Sequence, residues 1–364
     1  HEEGRLTKPK YQIIADDLRD KIISNQYNVG GVIPTELQLQ ETYHASRYTV
    51  RQAISVLVTE GYLRKEKGSG TYVNEFPLTT KENKPKKTIG VITTYISDYI
   101  FPTIIRGIEK ELKADGYSLL LSSTNNDYTQ EKECLERMID FGVDGLIVEP
   151  TKSNQYNPNL ATYVTLREHQ IPIVMINATY EELNTPTIHV DDVETGYLAT
   201  KELIEHHHKN LLLITKIDDL QGKYRMKGFI KACEDHNITI SSNSILTYTT
   251  ETEIDIYDQV VTHLQKFTEI TGILCYNDKI AKTLIGNLSN LGYKIPDDYS
   301  IVGNDDSVLS EMGEVSLTTT VHPKEDMGVD AANWIVNTIK KGTFEKDIIY
   351  PPKLIRRGSV RDLG

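Results

Sequence analysis

Residues Tyr11 to Val73 carry three helical stretches and then two short strands around Gly68-Ser69-Gly70. Ile14, Leu18 and Ile22 recur at i, i+4, i+8, the spacing of one helical face, and predict a helix from Tyr11 to about Gln26. Thr35 with Gln38 three residues on is a capping box that opens a second helix. Ser46 caps a third, whose apolar stripe is Val50, Ile54, Leu57 and Val58 and which stops at Gly61. Tyr62–Lys65 and Thr71–Val73 read as strands, and the glycines between them allow the positive φ of a tight turn. Three helices followed by such a hairpin predict a winged helix-turn-helix over residues 7–74.

That module has to be reconciled with a net charge of −12 over 364 residues. Residues 1–74 hold 10 Lys and Arg against 9 Asp and Glu, and the rest hold 30 against 43. The acidity therefore belongs downstream. Residues 44–72 set Arg47, Arg51, Arg64, Lys65 and Lys67 against Glu60 and Glu66. Charges beyond a screening length of about 10 Å count for little, so this local basic face suits phosphate.

Cys134, Cys233 and Cys275 are odd in number and far apart, which favours a reducing cytoplasm over a disulfide framework. No 18-residue apolar run is present, so no membrane association is expected. His1–Leu6 lacks the basic start and apolar stretch of a secretion signal and reads as a vector-derived remnant. Residues 75–87, polar with Pro77, Pro85 and four lysines, read as a linker.

From Thr88 onward short apolar runs alternate with amphipathic helices. Ile89–Ile92, Ser118–Leu121, Gly145–Val148 and Ile173–Ile176 form a first series. Leu211–Thr215, Ile245–Tyr248, Gly272–Tyr276 and Ser300–Gly303 form a second. The expected fold class is α/β: the winged helix-turn-helix, then a two-lobed domain over 88–364 with parallel sheets. Lobe 1 is assigned to about 88–187 and 316–343, and lobe 2 to about 188–315 and 344–364. Ligands of such folds sit at the carboxyl ends of the strands.

The start of the third helix is the part expected in a DNA major groove. Arg47 and Arg51, one turn apart, suit guanine edges or phosphates; Gln52 suits adenine; Tyr48 and Thr49 suit backbone or a thymine methyl. Glu36 has three readings: partner of a cytosine amino group, buttress of an arginine, or an acid placed by the helix dipole. Lys10 joins this set, and Lys67 and Gly68 of the wing are expected in a neighbouring minor groove. Downstream, Glu149, Asn177, Arg225, Asn277 and Asp305 each fall at a strand end or strand-to-helix turn. Carboxylates, amides and a guanidinium pair with adjacent hydroxyls, so the chemistry suits a small neutral polyol. Tyr95, Tyr99 and Phe101 follow the first strand and are candidates to stack on a sugar ring, or ordinary packing.

His206-His207-His208 is not expected to bind metal, because adjacent histidines at a helix end diverge. No G-x-G-x-x-G follows Ile89 and no phosphate-binding G-x-x-x-x-G-K-[ST] occurs. No cofactor and no enzymatic activity are expected.

Residues 9–74 resemble the GntR-type winged helix-turn-helix through "PTE", "SRYTVRQAISVLVTEGYL" and "KGSGTYV". Residues 88–360 resemble the LacI/GalR-type effector domain, itself similar to periplasmic sugar-binding proteins, through "TIGVITTYISDYIFPTIIRGIEKEL", "YNDKIA", "IPDDYSIVGNDD" and "LTTTVHP". The pairing, with "VEPTKS" and "DDLQGKYRMKGF", resembles the AraR-type arabinose-responsive repressors. The resemblance implies a homodimer on double-stranded operator DNA, released by L-arabinose. Another sugar or a purine is the alternative within the class, and a solute-binding protein or a nicotinamide enzyme lies outside it. One departure stands out: "GNDD" replaces the usual "GYDD" or "GFDD", placing Asn304 beside Asp305.

Overall fold

Thr35 Oγ1 accepts from the Gln38 amide at 3.2 Å while the Gln38 side chain accepts from the Thr35 amide at 2.9 Å, and this reciprocal pair starts α2 (Glu36–Tyr43). Ser46 Oγ accepts from the Thr49 amide and starts α3 (Arg47–Thr59). With α1 (Lys10–Ile23) they enclose a core of Ile14, Leu18, Leu39, Val50, Ile54 and Leu57. The computed structural model describes residues 8–74 and 86–364. All but two residues of the expected 75–87 linker lie outside them, and the chain divides near Pro85 into an N-terminal and a C-terminal unit.

The apolar stripe of α3 departs from expectation at one position. Ala53, not Val58, completes it, since Val58 is exposed at 36% while Ala53 is buried. β1 (Leu63–Glu66) and β2 (Gly70–Val73) pair antiparallel with Leu63 opposite Val73. Gly68 and Gly70, at φ +78° and +137°, make the turn, a conformation that L side chains rarely adopt.

In the C-terminal unit, lobe 1 is a six-stranded sheet with the order β13-β7-β6-β5-β3-β4. Its strands are β3 (Thr88–Thr93), β4 (Ser118–Ser123), β5 (Gly145–Val148), β6 (Ile173–Ile176), β7 (Thr187–Val190) and β13 (Ile348–Tyr350). It is covered by α4 (Phe101–Ala114), α5 (Tyr128–Phe141), α6 (Leu160–Glu168) and α11 (Lys324–Lys341). Lobe 2 has the order β14-β12-β11-β10-β8-β9, from β8 (Leu211–Lys216), β9 (Ile245–Tyr248), β10 (Gly272–Cys275), β11 (Ser300–Asp305), β12 (Thr318–Val321) and β14 (Leu354–Ile355). Its helices are α7 (Asp192–Glu205), α8 (Leu220–Asp235), α9 (Glu253–Lys266) and α10 (Asp278–Asn290). Every strand pair in these sheets is parallel except β12–β14.

The chain crosses between lobes after β7, after β12 and after β13. These crossings correct the lobe limits. Residues 188–190 and 344–350 run with lobe 1, and 316–321 with lobe 2. β12 escapes a search for apolar runs because it is Thr318-Thr319-Thr320-Val321. Its threonines are nonetheless buried, with hydroxyls bonded to the Arg357 carbonyl, Asp278 and Asn304. A buried hydroxyl is tolerated when it finds such a partner.

One close helix crossing fixes the cleft wall. A Cβ on Gly196 of α7 would lie 2.2 Å from the Arg225 carbonyl, and one on Gly228 of α8 2.0 Å from the Val193 carbonyl. Only with glycine at both points do α7 and α8 approach this closely. That contact sets Arg225 beside Asp192.

Candidate ligand cleft and nucleic-acid interface

The strand ends of both lobes face one cavity of about 370 Å³. All eight downstream candidates line it: Tyr95, Tyr99, Phe101, Glu149, Asn177, Arg225, Asn277 and Asp305. Glu149, past β5, accepts from the Thr94 amide at 3.1 Å, from the Thr94 hydroxyl, and from Asn177 Nδ2 at 2.5 Å. Burial pushes its carboxyl above the usual range, and the Thr94 and Asn177 donors pull it back. Asn177, held at φ +69° past β6, accepts at Oδ1 from His322 Nε2 at 2.7 Å. Its own amide nitrogen goes to Glu149, so Nε2 carries the hydrogen and His322 Nδ1 is an acceptor. Nδ1 is buried with no partner among the described residues. Burial lowers the His322 pKa to about 4, so the ring is neutral.

Arg225 donates from Nε to Asp192 at 3.0 Å and from Nη1 to the Tyr276 carbonyl at 2.7 Å. Its guanidinium carbon lies 4.9 Å from the centre of the Tyr276 ring. Burial raises the Asp192 pKa to about 7 despite that partner. Asp305 accepts from Tyr99 at 2.7 Å and from Asn304 Nδ2 at 2.8 Å. The Asn304 departure thus has a structural role: its amide donates to Asp305 and accepts from the Thr320 hydroxyl. Asn277 caps α10 through the Ile280 amide at 2.9 Å. Asp278 accepts from Ser307 and Thr319.

Among the aromatics, Tyr95 and Phe101 meet edge to face at 5.8 Å and form one cavity wall. Tyr99 differs from the stacking expectation, because its hydroxyl reaches across to lobe 2.

Cavity residues missed in the sequence include Asp192, Lys216, Asp219, Gln221 and His322. Lys216 had the same signal as Glu149, a charge ending an apolar strand. Burial disfavours its ammonium, but Asp219 and Asp218 outweigh that and its pKa is raised. Asp219 caps α8 through the Gly222 amide at 2.7 Å and accepts from the Tyr276 hydroxyl. Gln221 Oε1, like His322 Nδ1, is buried without a partner among the described residues.

In the N-terminal unit, Glu36 sits between the two arginines. Its carboxylate accepts from Arg47 Nε at 3.3 Å and Arg51 Nε at 3.0 Å. Of its three readings, the geometry matches the buttress. Tyr48 is 76% exposed at the head of α3, and Gln52 is half-buried one turn on. Thr49 is held by Ser46, its hydroxyl 2.8 Å from Ser46 Oγ. Lys10 donates to the His44 carbonyl at the end of α2. Lys67 and Gly68 are exposed at the wing tip.

The three consecutive histidines do diverge: His206 Nδ1 contacts the Glu202 carbonyl, His207 contacts Asp362, and His208 lies between Thr271 and the Arg361 carbonyl. Among the described residues no helix is long and apolar enough to cross a membrane.

A winged helix-turn-helix joined to a two-lobed cleft of this chemistry defines a ligand-responsive transcription regulator. Residues 10–73 match the gntR family of bacterial regulatory proteins, and residues 200–360 match the periplasmic binding protein-like domain. The chain is 44% identical to the arabinose metabolism transcriptional repressor of Geobacillus stearothermophilus, covering 98% of this chain and 99% of that one. It is 41% identical to the protein of the same description from Halalkalibacterium halodurans, covering 97% of each. The transcription regulator CcpA of Lactococcus lactis shares the fold of the C-terminal unit, with a TM-score of 0.68, 22% identity, and coverage of 75% of this chain and 99% of that one. The chain belongs to the family of arabinose metabolism transcriptional repressors.

Proposed function

We propose that the cleft takes L-arabinose and that closure on it loosens the hold of paired N-terminal units on operator DNA. The carrying observation is the hydrogen-bond inventory of the cavity. Gln221 Oε1 and His322 Nδ1 need donors, while the fixed guanidinium of Arg225 and the ammonium of Lys216 line the same cavity as donors. Hydroxyl groups supply both. Acids lining the cavity (Asp98, Glu149, Asp192, Asp219, Glu253, Asp305) outnumber the cations Lys216, Arg225 and Lys279, which disfavours a sugar phosphate. A volume of about 370 Å³ suits a monosaccharide with its hydroxyls paired rather than a disaccharide. The 44% identical relative, described as a repressor of arabinose metabolism, supports arabinose among the sugars.

On the DNA side, Arg47, Arg51, Gln52, Tyr48 and Thr49 read one half-site from α3. Lys10, Lys67 and Gly68 contact the backbone and the flanking groove. Glu36 fixes the two guanidinium groups. Two copies related by two-fold symmetry bind two half-sites. Linkage requires that operator weaken the sugar by the same factor that sugar weakens operator. Calorimetric titration with L-arabinose, with and without operator duplex, tests this. Equal sugar affinity in both titrations, or no heat with arabinose at all, overturns it.

A further inference from the structure

The geometry points to Tyr99 as a positioning residue: a pin rooted in lobe 1 whose hydroxyl holds the ligand-facing carboxylate of Asp305 in lobe 2 when the cleft is shut. This rests on the reading of the cleft as the effector site.

Tyr99 lies in the loop between β3 and α4, and its ring packs against the lobe 1 core. Its backbone sits at φ +55°, which is uncommon and costly for a bulky residue. Such conformations cluster where the side chain has a job. The hydroxyl lies 2.7 Å from Asp305 Oδ2 and 3.0 Å from the Asn304 carbonyl, and it accepts from the Asp278 amide at 3.1 Å. A phenol has one hydrogen and lone pairs to accept another. The hydrogen goes to the nearer, charged acceptor, Asp305. The Asp278 amide is in the first turn of α10, where amide groups have no partner within the helix. A lobe 1 oxygen therefore satisfies a lobe 2 helix end and orients a lobe 2 carboxylate together.

Asp278 and Asp305 are themselves fixed. Ser307 and Thr319 hold Asp278, and Asn304 holds the other oxygen of Asp305. Lys324 Nζ, at the head of the lobe 1 helix α11, also crosses to the Asp305 and Asp306 carbonyls at 2.7 and 2.9 Å, but it holds their backbone and not the carboxylate. Further bridges between the lobes, Asn126 to Thr250 at 2.6 Å and Ser153 to the Leu220 amide at 2.8 Å, join groups away from Asp305. Opening the lobes withdraws the Tyr99 hydroxyl and leaves Asp305 Oδ2 to water, while Asn304 keeps Oδ1. The site is complete only when closed, so closure and ligand capture reinforce each other.

Tyr99→Phe removes one oxygen and keeps the ring. In stopped-flow and calorimetric titration with L-arabinose, the variant is expected to bind about tenfold more weakly, because a hydrogen bond to a charged group is lost. The loss should lie in faster dissociation, with association unchanged. A thermal midpoint close to that of the wild type establishes that it is folded. Spin labels on Glu133→Cys and Gln265→Cys, one in each lobe, should show a broader, more open distance distribution for Tyr99→Phe without sugar. Affinity within twofold of the wild type, a loss confined to association, or identical label distances overturns the pin. Failure of wild-type protein to bind arabinose would instead strike the effector reading, and the sugar-free label distances would still decide the pin.

Discussion

Asn177 and His322, 145 residues apart, share a hydrogen bond of 2.7 Å at the edge where the chain passes between lobes. Asn177 relays it to Glu149, so three buried side chains orient one another around the cavity. The cavity's polarity is set by this chain as much as by the residues nearest a ligand.

His322 is neutral when folded, with its pKa lowered to about 4 from an ordinary value near 6.5. The unfolded chain therefore takes up its proton first. The stability that neutral burial contributes is fully present above pH 6.5 and is lost as pH falls toward 4, by about 3 kcal/mol at the limit. Asp192 and Asp278, raised to about 7 and about 6, act in the opposite sense and gain stability on acidification. The His contribution is read as the difference between wild type and His322→Gln in urea unfolding at pH 7.5 and 5. The wild type should lose more on acidification, and equal losses refute the assignment.

Arg225 and Asp192 form a buried pair. Arg225→Ala leaves the carboxylate without its partner and should destabilise the fold by about 3–5 kcal/mol. Adding Asp192→Asn should recover much of that in thermal unfolding, because no uncompensated charge remains. Neither variant should respond to arabinose in an operator-release assay. A normal response by the double variant would remove Arg225 from the effector site.

Asn304→Asp exchanges a buried donor for an acceptor against Asp305. The expected cost is about 1–3 kcal/mol, and sugar affinity should fall with it. Calorimetry against arabinose and urea unfolding check the two effects separately. A neutral result would show that the Asn304 amide does not orient Asp305.

At the other end of the chain, Arg51→Ala should weaken operator binding by about 1–3 kcal/mol if it meets a base edge. Glu36→Gln should act differently. Freed from the carboxylate, the two guanidinium groups are expected to bind any duplex more tightly while losing discrimination. Anisotropy titrations of operator and scrambled duplexes at several salt concentrations measure both. Unchanged discrimination in Glu36→Gln would reduce Glu36 to a surface ion pair, typically a small contributor.

The three N-terminal helices were legible because 3.6-residue periodicity and the side-chain caps at Thr35 and Ser46 are local signals. Strand ends in the C-terminal unit were legible for a similar reason, as apolar runs stop where side chains reach the cleft. β12 was not, since Thr318-Thr319-Thr320 is polar until tertiary partners satisfy it. Nor was His322, whose side-chain partner Asn177 comes from lobe 1.

By itself the sequence determined which elements form, in what order, and which polar groups arrive at the cleft, because helix caps, periodicity and apolar runs act over a few residues. Tertiary structure alone decided where the lobes exchange chain, that Tyr99 reaches across rather than stacks, and that Glu36 grips both arginines. Those outcomes depend on hydrogen bonds between residues far apart in the chain, whose geometry exists only once the helices and sheets have packed.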